Sequence, residues 1–158
     1  MKNVLIICAA LSVIGFWLNS PSSLPVAHLN VIEDGQLTES GFTVGGKCTG
    51  DKCLTVYVAP WCSACKALTP TIIELTNELE QEGISAQVVI GHDSLDNVKT
   101  HSKRYAFPVF EDASGLFYKS SNIRGVPYFA VTDSDGRIVD HMSGGYKNVE
   151  TMRNMLNI

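Results

Sequence analysis

Between Lys2 and Lys47 the chain carries no lysine or arginine, and nowhere in its 158 residues do five basic residues run together. With 12 basic against 16 acidic residues and a formal charge of −4, nucleic acid and anionic membrane surfaces are poor partners for it. No glycine-rich phosphate loop, Ser/His/Asp constellation or internal repeat can be picked out. The four histidines, His28, His92, His101 and His141, lie far apart in sequence, as surface or internally satisfied residues do rather than a ligand set. What the chain does have is 45% hydrophobic and only 18% charged residues. That is enough apolar material for one globular domain and too little charge for a disordered chain.

The first residues differ from the rest. Met1-Lys2-Asn3 is a short basic start, Val4 to Leu18 is an uncharged apolar run of fifteen residues, and Asn19 to Ser23 is a polar break. This is the build of an export signal, and the run falls short of the ~20 residues that span a bilayer comfortably. Ser20 and Ser22 have the spacing of a cleavage site, with retention as a membrane anchor the alternative. Lys2 ahead of the run puts the remainder of the chain outside the cytoplasm. Residues 1–22 are therefore expected to be a signal peptide or N-terminal anchor, 23–45 a linker or hairpin turning at Asp34-Gly35, and 46–158 the folded domain. Cys8 lies inside the run without the small residues and leucine that precede a lipidated cysteine, and reads as apolar filler.

Export means oxidising surroundings, which makes Cys48, Cys53, Cys62 and Cys65 candidates for two disulfides. Leu54 to Val58, β-branched and aromatic, reads as a buried strand between the two pairs. Five extended residues span roughly 16 Å, well beyond the ~7 Å that a disulfide allows between Cα atoms. Cys48 therefore pairs with Cys53, or neither pairs. Gly50-Asp51 can turn that short loop, as a structural staple or as a second redox pair. The same strand holds the pairs apart and weighs against a four-cysteine zinc site.

After Cys65 the apolar residues Leu68, Ile72, Leu75 and Leu79 recur at helical spacing, and Gly83 stops them. The spacing predicts a helix starting at or near Cys62. A cysteine at a helix N-terminus is reactive, because the unsatisfied amides and the positive end of the dipole stabilise its thiolate. Thiolate is the attacking species in disulfide exchange. Cys62 is the expected nucleophile, and Cys65 the resolving thiol that attacks the mixed disulfide.

Trp61-Cys62-Ser63-Ala64-Cys65-Lys66, with Pro70 beyond, resembles the active-site segment of the thioredoxin superfamily. A second block, Asn122 to Pro127 followed by the apolar Tyr128 to Val131, is similar to that family's cis-proline segment. The hairpin signal Asp133-Ser134-Asp135-Gly136, then Gly144 and a last helix from Val149 to Leu156, come in the family's order. The resemblance implies an α/β thioredoxin fold: a central mixed sheet of four to five strands flanked by helices, with an N-terminal hairpin and a strand inserted at Phe107 to Asp112 before the cis-proline block. It implies that Val126–Pro127 is cis, and that Trp61, Val126, Pro127 and Gly144 meet the substrate, Val126 by strand-like pairing. The insertion is similar to that of exported, membrane-tethered thiol:disulfide interchange proteins.

The resemblance further implies a protein-disulfide oxidoreductase acting on exported thiols and disulfides in a bacterial periplasm or at the outer face of the inner membrane. No cofactor or metal is expected beyond the Cys62–Cys65 disulfide, and the chain is expected to act as a monomer. Its electrons would be exchanged with a membrane thiol donor or an oxidant. The family's buried strand carboxylate is replaced by Val56, and Leu68 stands where many tethered relatives carry glutamate. Glu111 or Asp112 is then the expected proton acceptor for Cys65, unless both lie in a solvated turn. Ser63-Ala64 carries no charge or imidazole to stabilise the thiolate further, which favours a reductase or electron relay over a strong oxidant or isomerase. Two other readings remain open: a copper carrier using the cysteines and His141, and a binding module whose disulfide is idle.

Overall fold

The computed structural model describes residues 23–158; the expected signal or anchor at 1–22, Cys8 included, lies outside the described residues. Seven strands form one sheet: β1 (Ala27–Glu33), β2 (Gln36–Val44), β3 (Lys52–Val58), β4 (Ser85–Gly91), β5 (Val109–Asp112), β6 (Tyr128–Asp133) and β7 (Ile138–Ser143). Among the described residues four helices accompany them: α1 (Ser63–Gln81), α2 (Leu95–Ser102), α3 (Leu116–Ser120) and α4 (Val149–Leu156). The strand order is β2-β1-β5-β4-β3-β6-β7, with β3, β4 and β5 parallel and every other pairing antiparallel.

The sheet is wider than four to five strands because the hairpin and the inserted strand join it. β5 pairs with β4 on one side and with β1 on the other, which ties the hairpin into the sheet through Asn30, Val31 and Ile32. Leu24, Val31, Ile32 and Val44 are buried, and the segment forms the β1–β2 hairpin. The turn sits at Asp34-Gly35, where both residues take positive φ.

β3 is an interior strand, between β4 and β6. Leu54 to Val58 are fully buried or nearly so, and their alternation divides them between two cores. Leu54, Val56 and Val58 pack with α1 and α4 residues such as Leu75, Leu79, Met152 and Leu156. Tyr57 packs on the other face with Leu24, Val44, Val89 and Phe117. Full burial of one such side chain stabilises the fold by about 1.5–3 kcal/mol.

α1 carries the expected stripe: Leu68, Ile72, Leu75 and Leu79 are all buried. It ends where Gly83 takes φ of 79° and the Ile84 N–H reaches back to the Leu79 carbonyl at 2.8 Å. Thr71 Oγ1 donates to the Lys147 carbonyl at 3.0 Å and anchors the helix to the segment before α4.

Candidate active site

The sharp turn from β3 into α1 places Cys62 at the helix N-cap, with φ −80° and ψ 111°. Its Sγ accepts the Cys65 N–H at 3.0 Å. This is the capping role usually filled by a serine or aspartate oxygen, and here it directs an amide at the sulfur, where negative charge develops on reduction. Cys62 and Cys65 form a disulfide with Cα atoms 5.2 Å apart. Cys62 retains 6% exposure while Cys65 has none. The outer sulfur is thus the one a partner can reach, and the inner one is shielded behind it.

Val126–Pro127 is a cis peptide bond. The Val126 carbonyl oxygen lies 3.5 Å from Cys62 Sγ, a position in which the thiol form donates to it. The Pro127 carbonyl accepts the Gly144 N–H at 2.8 Å, which joins the cis-proline segment to the end of β7. Gly144 has φ of 81°, and a Cβ built there would meet nothing within 4 Å. The surface beside it is open. Trp61 is 56% exposed and is held by an Nε1–H bond to the His92 carbonyl at 3.0 Å. Trp61, Val126, Pro127 and Gly144 are therefore gathered around Cys62 by the ends of β3, β6 and β7, although they are far apart in sequence.

Residues 47–157 match the sequence model of the thioredoxin-like domain. The chain belongs to the thioredoxin-like family. No curated protein matches it in sequence. Among solved structures it is similar to the exposed lipoprotein thioredoxin Etrx1 of Streptococcus pneumoniae, at 23% identity over 83% of this chain and 98% of that one, with a TM-score of 0.60. StoA of Bacillus subtilis is 18% identical over 85% of this chain and 98% of its own, with a TM-score of 0.61. A thiol:disulfide interchange protein of Chlorobium tepidum is also 18% identical, over 87% and 95%, with a TM-score of 0.60. At these identities the likeness is one of fold.

Within this thioredoxin-like frame, two expectations need correction. Asp112 is neither in a solvated turn nor beside Cys65. It is 1% exposed and accepts the Tyr57 hydroxyl at 2.8 Å and the Phe117 and Tyr118 N–H groups at 3.0 Å each. Tyr57 and Phe117 belong to the core on the opposite face of the sheet from Cys65. Burial, with the Asp112 carboxylate beside it, pushes the Tyr57 hydroxyl well above its ordinary range and keeps it a donor. Glu111 accepts the Ala113 N–H at 2.5 Å and the Asn30 amide at 3.5 Å, and makes no bond to either cysteine. Val56 and Leu68 pack in the same apolar core as Cys65. Among the described residues no carboxylate hydrogen-bonds to either cysteine of this pair.

The second pair, Cys48–Cys53, is also a disulfide, with Cα atoms 5.8 Å apart. It sits at the start of β3 while Cys62 lies past its end, so β3 separates the pairs by ~16 Å. Direct exchange between them within one molecule has no path.

His141 lies on β7 opposite Ala130, tilted against Tyr128 at 6.1 Å between ring centroids. Among the described residues no three His, Cys, Asp or Glu side chains group as metal ligands.

Sequence reasoning missed the surroundings of Trp61. His92, at φ 57°, supplies the carbonyl that holds the indole, and its own ring stacks on Tyr118 at 4.8 Å. It also missed His101, which is 3% exposed with an unpartnered Nε2. Burial, with Arg104 and Lys66 nearby, lowers its imidazole to about 4. No local pattern marks either residue.

Proposed function

We propose that this thioredoxin-like chain is an extracytoplasmic thiol:disulfide oxidoreductase that reduces, or relays electrons to, disulfides in exported proteins. The observation that carries the reading is Cys62 Sγ at the N-cap of α1, receiving the Cys65 amide at 3.0 Å and facing the Val126 carbonyl at 3.5 Å. In the dithiol form, the Cys62 thiolate attacks one sulfur of a partner disulfide. A Cys62–partner bond forms, the partner's own disulfide breaks, and its second sulfur leaves as thiolate. The Cys65 thiolate then attacks Cys62 Sγ, closes the Cys62–Cys65 disulfide and releases the partner reduced by two electrons.

The apolar surroundings of Cys65 assign its deprotonation to the departing partner thiolate or to water rather than to a protein carboxylate. An extended partner segment beside Val126 and the open surface at Gly144 would supply backbone pairing that is indifferent to partner sequence. The leader at residues 1–22 supports action outside the cytoplasm, delivered by export or held by an anchor. Among the described residues no helix is long and apolar enough to cross a membrane. Electrons for repeated turnover would come from a membrane thiol donor.

Replacing Cys65 with serine tests the reading directly. The Cys65→Ser chain, reduced and mixed with extracytoplasmic proteins bearing disulfides, should accumulate mixed disulfides through Cys62 that dithiothreitol releases. Cys62→Ser should accumulate none. Equal trapping by both variants would overturn the assignment.

A further inference from the structure

Beside the redox pair lies a cavity of about 360 Å³ lined by Pro60, Trp61, Lys66, Asp93, Asn97, Thr100, His101 and Arg104. Trp61 directly precedes Cys62 and Lys66 comes directly after Cys65, so the cavity flanks the segment that carries the redox pair, although neither cysteine lines it. In a chain of net charge −4 its lining is distinctive. Lys66 and Arg104 form no ion pair among the described residues. The one carboxylate, Asp93, is already engaged: its Oδ1 accepts the Ser94 N–H at 2.7 Å and the Asn97 Nδ2 at 2.8 Å at the start of α2.

The second observation is His101. It lines this cavity, is 3% exposed, and its Nε2 has no hydrogen-bond partner. A buried polar atom left unpaired costs about 1–3 kcal/mol and marks a place where a ligand atom or water is missing. Nε2 itself has almost no accessible surface, so the His101 ring contributes to the cavity wall beside two cations, and Asn97 and Thr100 add neutral groups. A guanidinium matches a carboxylate with two parallel bonds. A water claims about 30 Å³, so the cavity admits a side-chain carboxylate and several waters.

We propose that this cavity is a specificity subsite for an acidic side chain of the partner protein, one that lies close in sequence to the cysteine attacked by Cys62. The inference rests on the oxidoreductase reading. It adds a side-chain preference to a site whose backbone pairing beside Val126 supplies none. Arg104 and Lys66 bind the carboxylate, Trp61 walls the cavity with its indole fixed by His92, and the His101 ring forms part of the wall.

The test uses the reduced full chain and short peptides in which one cysteine is blocked as a mixed disulfide with 2-mercaptoethanol. Cys62 attacks the peptide sulfur, the Cys62–peptide disulfide forms, and uncharged mercaptoethanol leaves; Cys65 then frees the peptide thiol. Glutamate or glutamine is placed in turn at each of the two positions on either side of the cysteine. At one position the Glu peptide should react about ten-fold faster than its Gln twin at low salt, with the ratio falling towards unity at about 0.5 M salt. Arg104→Glu should invert the ratio and Arg104→Lys should retain most of it. Equal rates for Glu and Gln at every position, or a preference that persists in Arg104→Glu, would overturn the subsite. If no peptide reacts at all, the oxidoreductase reading fails instead. The oxidised chain then decides the subsite: a Ser-for-Cys Glu peptide should shift the His101 ring nitrogen resonances, and the absence of any shift would overturn it.

Discussion

Two disulfides stand at the two ends of one strand, and they are built alike. Their Cα atoms are 5.8 Å and 5.2 Å apart, and both close short loops. Their surroundings differ. Cys48 and Cys53 are both half-buried and bracket the turn that leads into β3, and neither caps a helix among the described residues. Cys62 caps a nineteen-residue helix, receives an amide N–H on its sulfur and faces the Val126 carbonyl. Cys65 is hidden behind it. Reactivity in this molecule is thus a property of what the fold places around a cysteine pair.

The largest expected effect separates the two ends. Cys62→Ser should abolish reduction of an insulin disulfide by the full chain, a loss of at least about a thousand-fold, because no other exposed thiolate is poised by a helix end. Replacing both Cys48 and Cys53 with serine should leave that rate within about two-fold, since the sites are far apart. The loop-closure relation puts the stability cost of that double replacement at about 2 kcal/mol, read by urea denaturation. A loss of activity as deep as that of Cys62→Ser would make the second pair part of the redox path.

Asp112 sharpens the comparison from the opposite face of the sheet. Asp112→Ala leaves the Tyr57 hydroxyl and the Phe117 and Tyr118 amides without their acceptor. A cost of about 3 to 5 kcal/mol should appear in denaturant melts. The pH profile of the Cys65 resolving step should not move. A displaced profile at full stability would instead mark Asp112 as the proton acceptor.

The smallest effect concerns His101. Its folded-state value of about 4 lies below the ordinary histidine value of 6.5. Between those two values the unfolded chain holds more protons than the folded one, so stability falls as pH drops through that window. His101→Gln should flatten the dependence in melts from about pH 7 to about pH 4. An unchanged slope would show that His101 titrates normally in the folded chain.

Much of this was readable in the sequence because local signals and tertiary demands agree. The Leu68, Ile72, Leu75, Leu79 stripe and the Gly83 stop define α1, and Val149 to Leu156 is α4. The β-branched run from Leu54 to Val58 lies within β3, and the Asp34-Gly35 turn and the cis bond at Pro127 fall where expected. Less legible was anything decided by a distant residue. Glu111-Asp112 reads locally as a polar turn, and only Tyr57, 55 positions away, makes Asp112 a buried acceptor. α3 has five residues, too few for a period to show. The full width of the sheet could not be counted because the weak alternation of β1 is resolved only by its pairing with β5. The charge around Trp61 is likewise assembled from α1, the turn after α2 and the loop after β4.

The reduction potential of the Cys62–Cys65 couple against glutathione, measured with Cys48–Cys53 intact, tests the central claim most directly. Ser63 and Ala64 add no charge to the thiolate, so the account predicts a value near the thioredoxin range, ~−270 mV. A value near ~−120 mV, that of a strong oxidant, would contradict it and reverse the direction in which electrons flow through Cys62.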